Sequence, residues 1–148
     1  MAWTFLVIDD NGPEAARTTQ QLRAIEPAAD VLLASCGEAA LALLEERRLL
    51  PSLIFVDFTL PDMNGLELLG KIRQRRWLER TPIAMLSEPV ADKHVVNSYR
   101  LGACAFIQKP ARPHELRETV RDFAQPARQM TAATVVPGSA PDAGARVA

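Results

Sequence analysis

No apolar run in this chain reaches the roughly 18 residues that a membrane-spanning helix needs. No basic segment precedes the first apolar run, so the N-terminus does not read as a secretory signal. Net charge is scarce too: 17 Lys and Arg stand against 18 Asp and Glu, a formal −1. That balance gives no general reason to expect nucleic-acid binding. Only two cysteines occur, Cys36 and Cys104, too far apart for a metal-ligand pair. They read as two buried thiols in a reducing compartment. There is no internal repeat. These absences leave a cytoplasmic protein with no membrane and no nucleic-acid partner as the expectation.

What the 148 residues do have is 48% hydrophobic content, enough to fill the core of one domain. The apolar residues come in short runs that alternate with helical patterns, the signature of βαβ units and a parallel sheet. Strands are expected at Thr4 to Ile8, Asp30 to Ala34, 53–56, 83–86 and 104–108. The third, Leu53-Ile54-Phe55-Val56, is apolar throughout, as a strand covered on both faces should be. Pro13 and Pro113 suit the first turns of the first and fifth helices, and Pro27 lies near the end of the first. Ser35 with Glu38, and Asn64 with Glu67, have capping-box spacing at the starts of the second and third. Leu66, Leu69 and Ile72 mark the inner face of the third helix. Gly102 ends a weaker fourth helix over 91–101, and Leu116, Val120 and Phe123 face inward on the fifth. From Pro126 the composition shifts to Ala, Pro, Gly, Thr and Val without a period, so residues 126–148 read as a flexible tail or linker stub behind a domain of 1–125.

The strand ends carry the chemistry. The first apolar run stops on Asp9-Asp10 and the third on Asp57; the fourth stops on Ser87 and the fifth on Lys109-Pro110. In an open α/β sheet, ligands bind outside the carboxyl ends of the strands. Three carboxylates gathered there repel one another unless a cation neutralises them, which calls for a divalent metal. With a hydroxyl and an ammonium beside them they make a site for a phosphoryl group.

The motifs Ile8-Asp9-Asp10-Asn11, Val56-Asp57-Phe58-Thr59-Leu60-Pro61-Asp62-Met63-Asn64-Gly65, Ser87 and Phe106-Ile107-Gln108-Lys109-Pro110 resemble, in order, spacing and residue type, the receiver domain of two-component response regulators. The resemblance covers about residues 3–125. It implies a (βα)5 doubly wound, flavodoxin-like α/β fold with a five-stranded parallel sheet in the order 2-1-3-4-5. It also implies a phosphorylation-controlled switch: Asp57 accepts a phosphoryl group from a sensor histidine kinase or a histidine phosphotransfer protein. Mg²⁺ (or Mn²⁺) would be held by Asp9, Asp10, Asp57 and the backbone carbonyl of Thr59. Lys109 would pair with Asp57 and then with a phosphoryl oxygen, across a cis bond to Pro110. Ser87 would bond the phosphoryl group, and Phe106 would turn inward behind it. The surface of the fourth helix, fifth strand and fifth helix would then change for a downstream protein target or for a homodimer. No catalysis beyond the domain's own aspartyl phosphorylation and dephosphorylation is implied.

Some residues depart from the family pattern or add weaker signals. Glu88 replaces the small residue usual after the hydroxyl position; it either points outward or brings a fourth carboxylate toward an incoming anion. Phe106 lacks a tyrosine hydroxyl. His94 and His114 are expected at the surface, away from the acids, and Lys71, Arg73, Arg75, Arg76 and Arg80 as a solvated helix end with Trp77 packed beside them. The segment from Val96 to Ala103 is similar to small regulators paired with phytochrome-type kinases. Two other classes stay open at this point: a receiver-like scaffold that is never phosphorylated, and a phosphohydrolase of the haloacid dehalogenase type. The latter wants a second acid two residues after its nucleophile, where this chain has Thr59.

Overall fold

The computed structural model describes residues 3–125; the expected tail at 126–148 lies outside them. Five strands and five helices alternate: β1 (Thr4–Ile8), α1 (Gly12–Ile25), β2 (Asp30–Ala34), α2 (Gly37–Arg47), β3 (Leu53–Asp57), α3 (Gly65–Arg73), β4 (Ile83–Ser87), α4 (Asp92–Arg100), β5 (Ala105–Gln108) and α5 (Pro113–Phe123). A short 3₁₀ turn, Arg76–Leu78, sits between α3 and β4. All strand pairs are parallel and the order is 2-1-3-4-5, as the resemblance implied.

Side chains alternate across a strand, and here the alternation divides the core in two. Leu6 and Ile8 of β1, with Ile54 and Val56 of β3, pack under α2 and α3 against Leu44, Leu68, Leu69 and Ile72. Phe5 and Val7, with Leu53 and Phe55, face α1 and α5 through Leu22, Leu116 and Val120. Every residue of β3 and β4 is buried, which explains their unbroken apolar runs. The edge strand β2 leaves Leu33 at 53% exposure.

Helix starts follow the expected chemistry with one exception. Asn11 and Asn64 accept hydrogen bonds from the N–H groups of Glu14 (3.0 Å) and Glu67 (2.8 Å). The Ser35–Glu38 box does not form. Cys36 is the cap residue of α2, its sulfur accepting from the Ala39 N–H at 3.4 Å. The carboxylate of Asp62, from the loop after β3, accepts from the N–H groups of Gly37 (2.9 Å) and Glu38 (2.8 Å). Two donors at that helix end are thus met by an anion 24 and 25 residues away in sequence, which holds the Asp62 carboxyl below its usual pKa.

Other inward-facing expectations shift by a residue or a turn. Leu68 takes the fully buried place on α3, and Leu66 is only partly covered. Phe123 is 40% exposed, because the last turn of α5 runs past the core, where Ala124 packs instead. The basic end of α3 is not simply solvated. Arg73 is half-buried and donates to the carbonyls of Leu78, Thr81 and Gly102, each at 2.8 Å. Arg75 pairs with Glu45 at 3.0 Å. Trp77 packs as expected, donating to the Leu49 carbonyl with Arg48 stacked 4.3 Å from its ring centroid. Both cysteines are free and half-buried rather than fully buried; burial pushes the Cys104 thiol up to about 11.

Candidate functional site

Four parallel strands end together, so their last residues and the first residues beyond them converge. The Lys109 N–H bonds the Ser87 carbonyl (2.8 Å), the Phe58 N–H bonds the Leu86 carbonyl (2.9 Å), and the Asp9 N–H bonds the Ala34 carbonyl (3.0 Å). These backbone links extend the sheet's ladder by one residue at three points and hold the site residues in register. The loop after β3 is closed by a bridge between Thr59 and Asn64 and by the Gly65 N–H bonded to the Phe58 carbonyl. Gly65 is needed there: a Cβ would lie 2.6 Å from the Asp57 carbonyl oxygen and 2.8 Å from the Phe58 Cα.

Asp9, Asp10 and Asp57 each place a carboxylate oxygen within 4.8 Å of the others. Asp9 and Asp57 are buried and Asp10 is exposed, as consecutive positions leaving a strand should diverge. The Lys109 side chain is 9% exposed, and its ammonium lies 3.1 Å from Asp57 Oδ2, 3.4 Å from Asp9 Oδ2 and 2.7 Å from Glu14 Oε1. The peptide bond from Lys109 to Pro110 is cis. The Thr59 N–H donates to Asp57 Oδ1 at 3.2 Å.

Burial pushes the Asp57 carboxyl up to about 6; Lys109 and the Thr59 N–H pull it back, and Asp9 adds to the rise. Burial works against the Lys109 charge as well, but the bonds to Glu14 and Asp57 outweigh it and raise the ammonium well above its usual pKa. The cluster therefore has an excess of negative charge that one ammonium does not cancel. Three hard oxygen donors at this spacing suit a small divalent cation such as Mg²⁺ or Mn²⁺.

Of the other expected residues, Ser87 ends β4, Glu88 follows it, and Phe106 lies on the neighbouring strand β5. Ser87 is buried at the end of β4, its hydroxyl donating to the Glu88 carbonyl. Glu88 is exposed, the outward alternative. Phe106 is half-buried on β5 and packs on the α2–α3 side of the core. His114 is at the surface, but His94 is not: its ring packs 5.3 Å from that of Phe58, the neighbour of Asp57, and its Nδ1 is buried without a hydrogen-bond partner. Glu14 is the residue the sequence reading missed. An acid in a first helical turn suits the helix dipole on its own, so only the fold could show that it reaches Lys109, 95 positions away.

Comparison with known proteins agrees with this geometry. Residues 5–121 match the response regulator receiver domain family. The chain is 36% identical over 93 residues to a chemotaxis protein CheY homolog of Campylobacter jejuni, covering 63% of this chain and 71% of that one. A CheY-like receiver domain protein of Methanospirillum hungatei is 29% identical, with a TM-score of 0.73 over 82% of this chain and 93% of its own. The phosphorylated cyanobacterial phytochrome response regulator RcpA is 25% identical, with a TM-score of 0.71 over 82% and 90% of the two chains, weak support for the phytochrome-associated subgroup. Against the positive alginate biosynthesis regulatory protein of Pseudomonas aeruginosa, 27% identical over 95% of this chain, it spans 55% of the relative's length. The chain belongs to the response regulator receiver family, and it is a phosphorylation-controlled signalling domain of the two-component class. Nothing found favours the unphosphorylated scaffold or the phosphohydrolase.

Proposed function

We propose that Asp57 is the phosphoacceptor and that the domain acts as a switch between a sensor histidine kinase or histidine phosphotransfer protein and a downstream protein target. The observation that carries this reading is the half-buried Lys109, its ammonium bonded to both Asp57 and Asp9, with Asp10 completing the acid cluster. An oxygen of Asp57 bonds the phosphorus as the bond from phosphorus to the donor's imidazole nitrogen breaks, and the imidazole keeps the electron pair. Lys109 then turns from the carboxylate to the phosphoryl oxygens, and the Thr59 N–H steadies the acceptor. Asp9, Asp10, Asp57 and the Thr59 carbonyl would hold Mg²⁺ (or Mn²⁺), which supplies charge neutralisation between carboxylates and phosphoryl oxygens.

Ser87 leaves the Glu88 carbonyl for the phosphoryl group, and Phe106 moves inward behind it. Phosphate favours this conformer only by binding it better. The output face is α4, β5 and α5, where Val96, Tyr99 and Leu101 are 48%, 49% and 41% exposed and Phe123 adds to the apolar surface. Those exposures suit a protein target or a second copy of the chain. The Phe58–His94 contact gives α4 a direct neighbour at the end of β3. The domain turns over no separate substrate; its chemistry is confined to its own aspartate. A cytoplasmic location fits a partner kinase of this class, and among the described residues no helix is long and apolar enough to cross a membrane. Intact mass after acetyl phosphate tests the reading: one phosphoryl group is gained with Mg²⁺, none without it, and none in Asp57→Asn. A mutant that still takes the group on another residue would overturn it.

A further inference from the structure

We propose that Glu14 is a positioning residue for Lys109: it anchors the ammonium against α1, strengthens divalent-cation binding at the acid cluster, and slows entry of the phosphoryl group. The inference rests on the reading of Asp57 as acceptor for its kinetic half only. An ammonium has three protons, and three carboxylates surround this one: Glu14, Asp57 and, at the long end of hydrogen-bonding distance, Asp9. The Glu14 bond is the shortest, 2.7 Å against 3.1 Å and 3.4 Å. A phosphoryl oxygen that needs Lys109 has to draw it away from a carboxylate already bonded to it.

Glu14 is held for this role by a chain of short-range bonds. The Asn11 N–H donates to Asp9 Oδ1 at 2.9 Å, the Asn11 side chain accepts from the Glu14 N–H at 3.0 Å, and the Glu14 side chain returns to Lys109. Glu14 and Lys109 share a crevice of about 20 Å³ with Asp9, Arg17 and Pro110, room for roughly one water. Glu14 is also the least buried of the three partners, its side chain 30% exposed against 1% for Asp9 and 8% for Asp57. It can be altered without stranding a buried charge.

The charge argument gives opposite signs for two steps. Glu14 adds a negative charge near the cluster and offsets Lys109, so it favours a dication and disfavours an incoming dianion. In the labelling step an Asp57 oxygen bonds phosphorus while the phosphorus–oxygen bond to acetate breaks, and acetate leaves with the electron pair. No proton or electron has to be supplied.

The test uses the full chain and Glu14→Gln, which keeps size and hydrogen-bonding capacity without the charge. Magnesium affinity is measured by calorimetry, and labelling by acetyl phosphate is followed at saturating magnesium for each protein. We expect the Mg²⁺ Kd to rise about threefold and the labelling rate to rise about threefold, with Glu14→Asp returning toward wild type in the magnesium arm. Unchanged values in both arms would overturn the inference, and so would weaker binding joined to slower labelling, which is the mark of general damage. If the wild type gains no phosphoryl group, the acceptor reading fails, while the magnesium arm still decides whether Glu14 acts on the cluster.

Discussion

Two half-buried cations organise this domain, and they are held in opposite ways. Arg73 reaches three backbone carbonyls, of Leu78, Thr81 and Gly102, which join the end of α3 to the turn before β4 and the loop before β5. Lys109 reaches three carboxylates, two at the ends of β1 and β3 and one in the first turn of α1. Burial works against the charge on both. It lowers the Arg73 pKa, since carbonyls return only dipoles; the anions around Lys109 reverse the effect. Neutral acceptors fix a geometry that no titration or ligand can reset. Anionic acceptors hold a cation just as closely, but a metal ion or a phosphoryl group can compete for them.

The sharpest way to test this contrast is Lys109→Met. Labelling at saturating Mg²⁺ should fall on the order of 10²-fold, while a urea melt with Mg²⁺ present stays close to wild type. Arg73→Met should do the reverse. It strands three carbonyls and should cost about 3 kcal/mol in a urea melt, with the Mg²⁺ Kd unmoved. If Arg73→Met shifts the Kd severalfold, the two ends of the fold are coupled and the contrast fails.

A graded effect comes next. Asp57 has a folded-state pKa raised from 3.8 to about 6, so without Mg²⁺ the folded chain holds the proton more tightly than the unfolded chain. Stability should therefore fall as pH rises from about 4 to above 6, and Mg²⁺ should restore it. Asp57→Asn should flatten that slope in melts across this window. The smallest effect is expected at Gly102, where φ is 100° and a Cβ would lie 2.9 Å from Arg73 Nε. Gly102→Ala should cost roughly 1–2 kcal/mol, read as a lower melting temperature with labelling unchanged.

The same contrast explains what the sequence could disclose. Strands β3 and β4 are covered on both sides, so their apolar runs are unbroken and their ends point straight at Asp57 and Ser87. Local caps such as Asn64 obey spacing rules and were legible for that reason. The features that escaped involve a partner far along the chain. Asp62 takes over the start of α2 from a different loop. Arg73 looks like any basic helix end until the carbonyls around it are seen, because a backbone oxygen leaves no mark on residue type. His94 looked like a surface histidine because its neighbour Phe58 belongs to another element.

Chain order adds a consequence for biosynthesis. The acids of the cluster are translated first, and the ammonium that balances them arrives with the last strand, at position 109. An emerging polypeptide that has paired β1 with β3 but not yet made β5 holds crowded anions with no internal counter-ion. Protons or a dication from the surrounding medium have to serve until that strand docks. In chains truncated before β5, a chelator should therefore disfavour the pairing of β1 with β3, and mildly acidic buffer should relieve the effect.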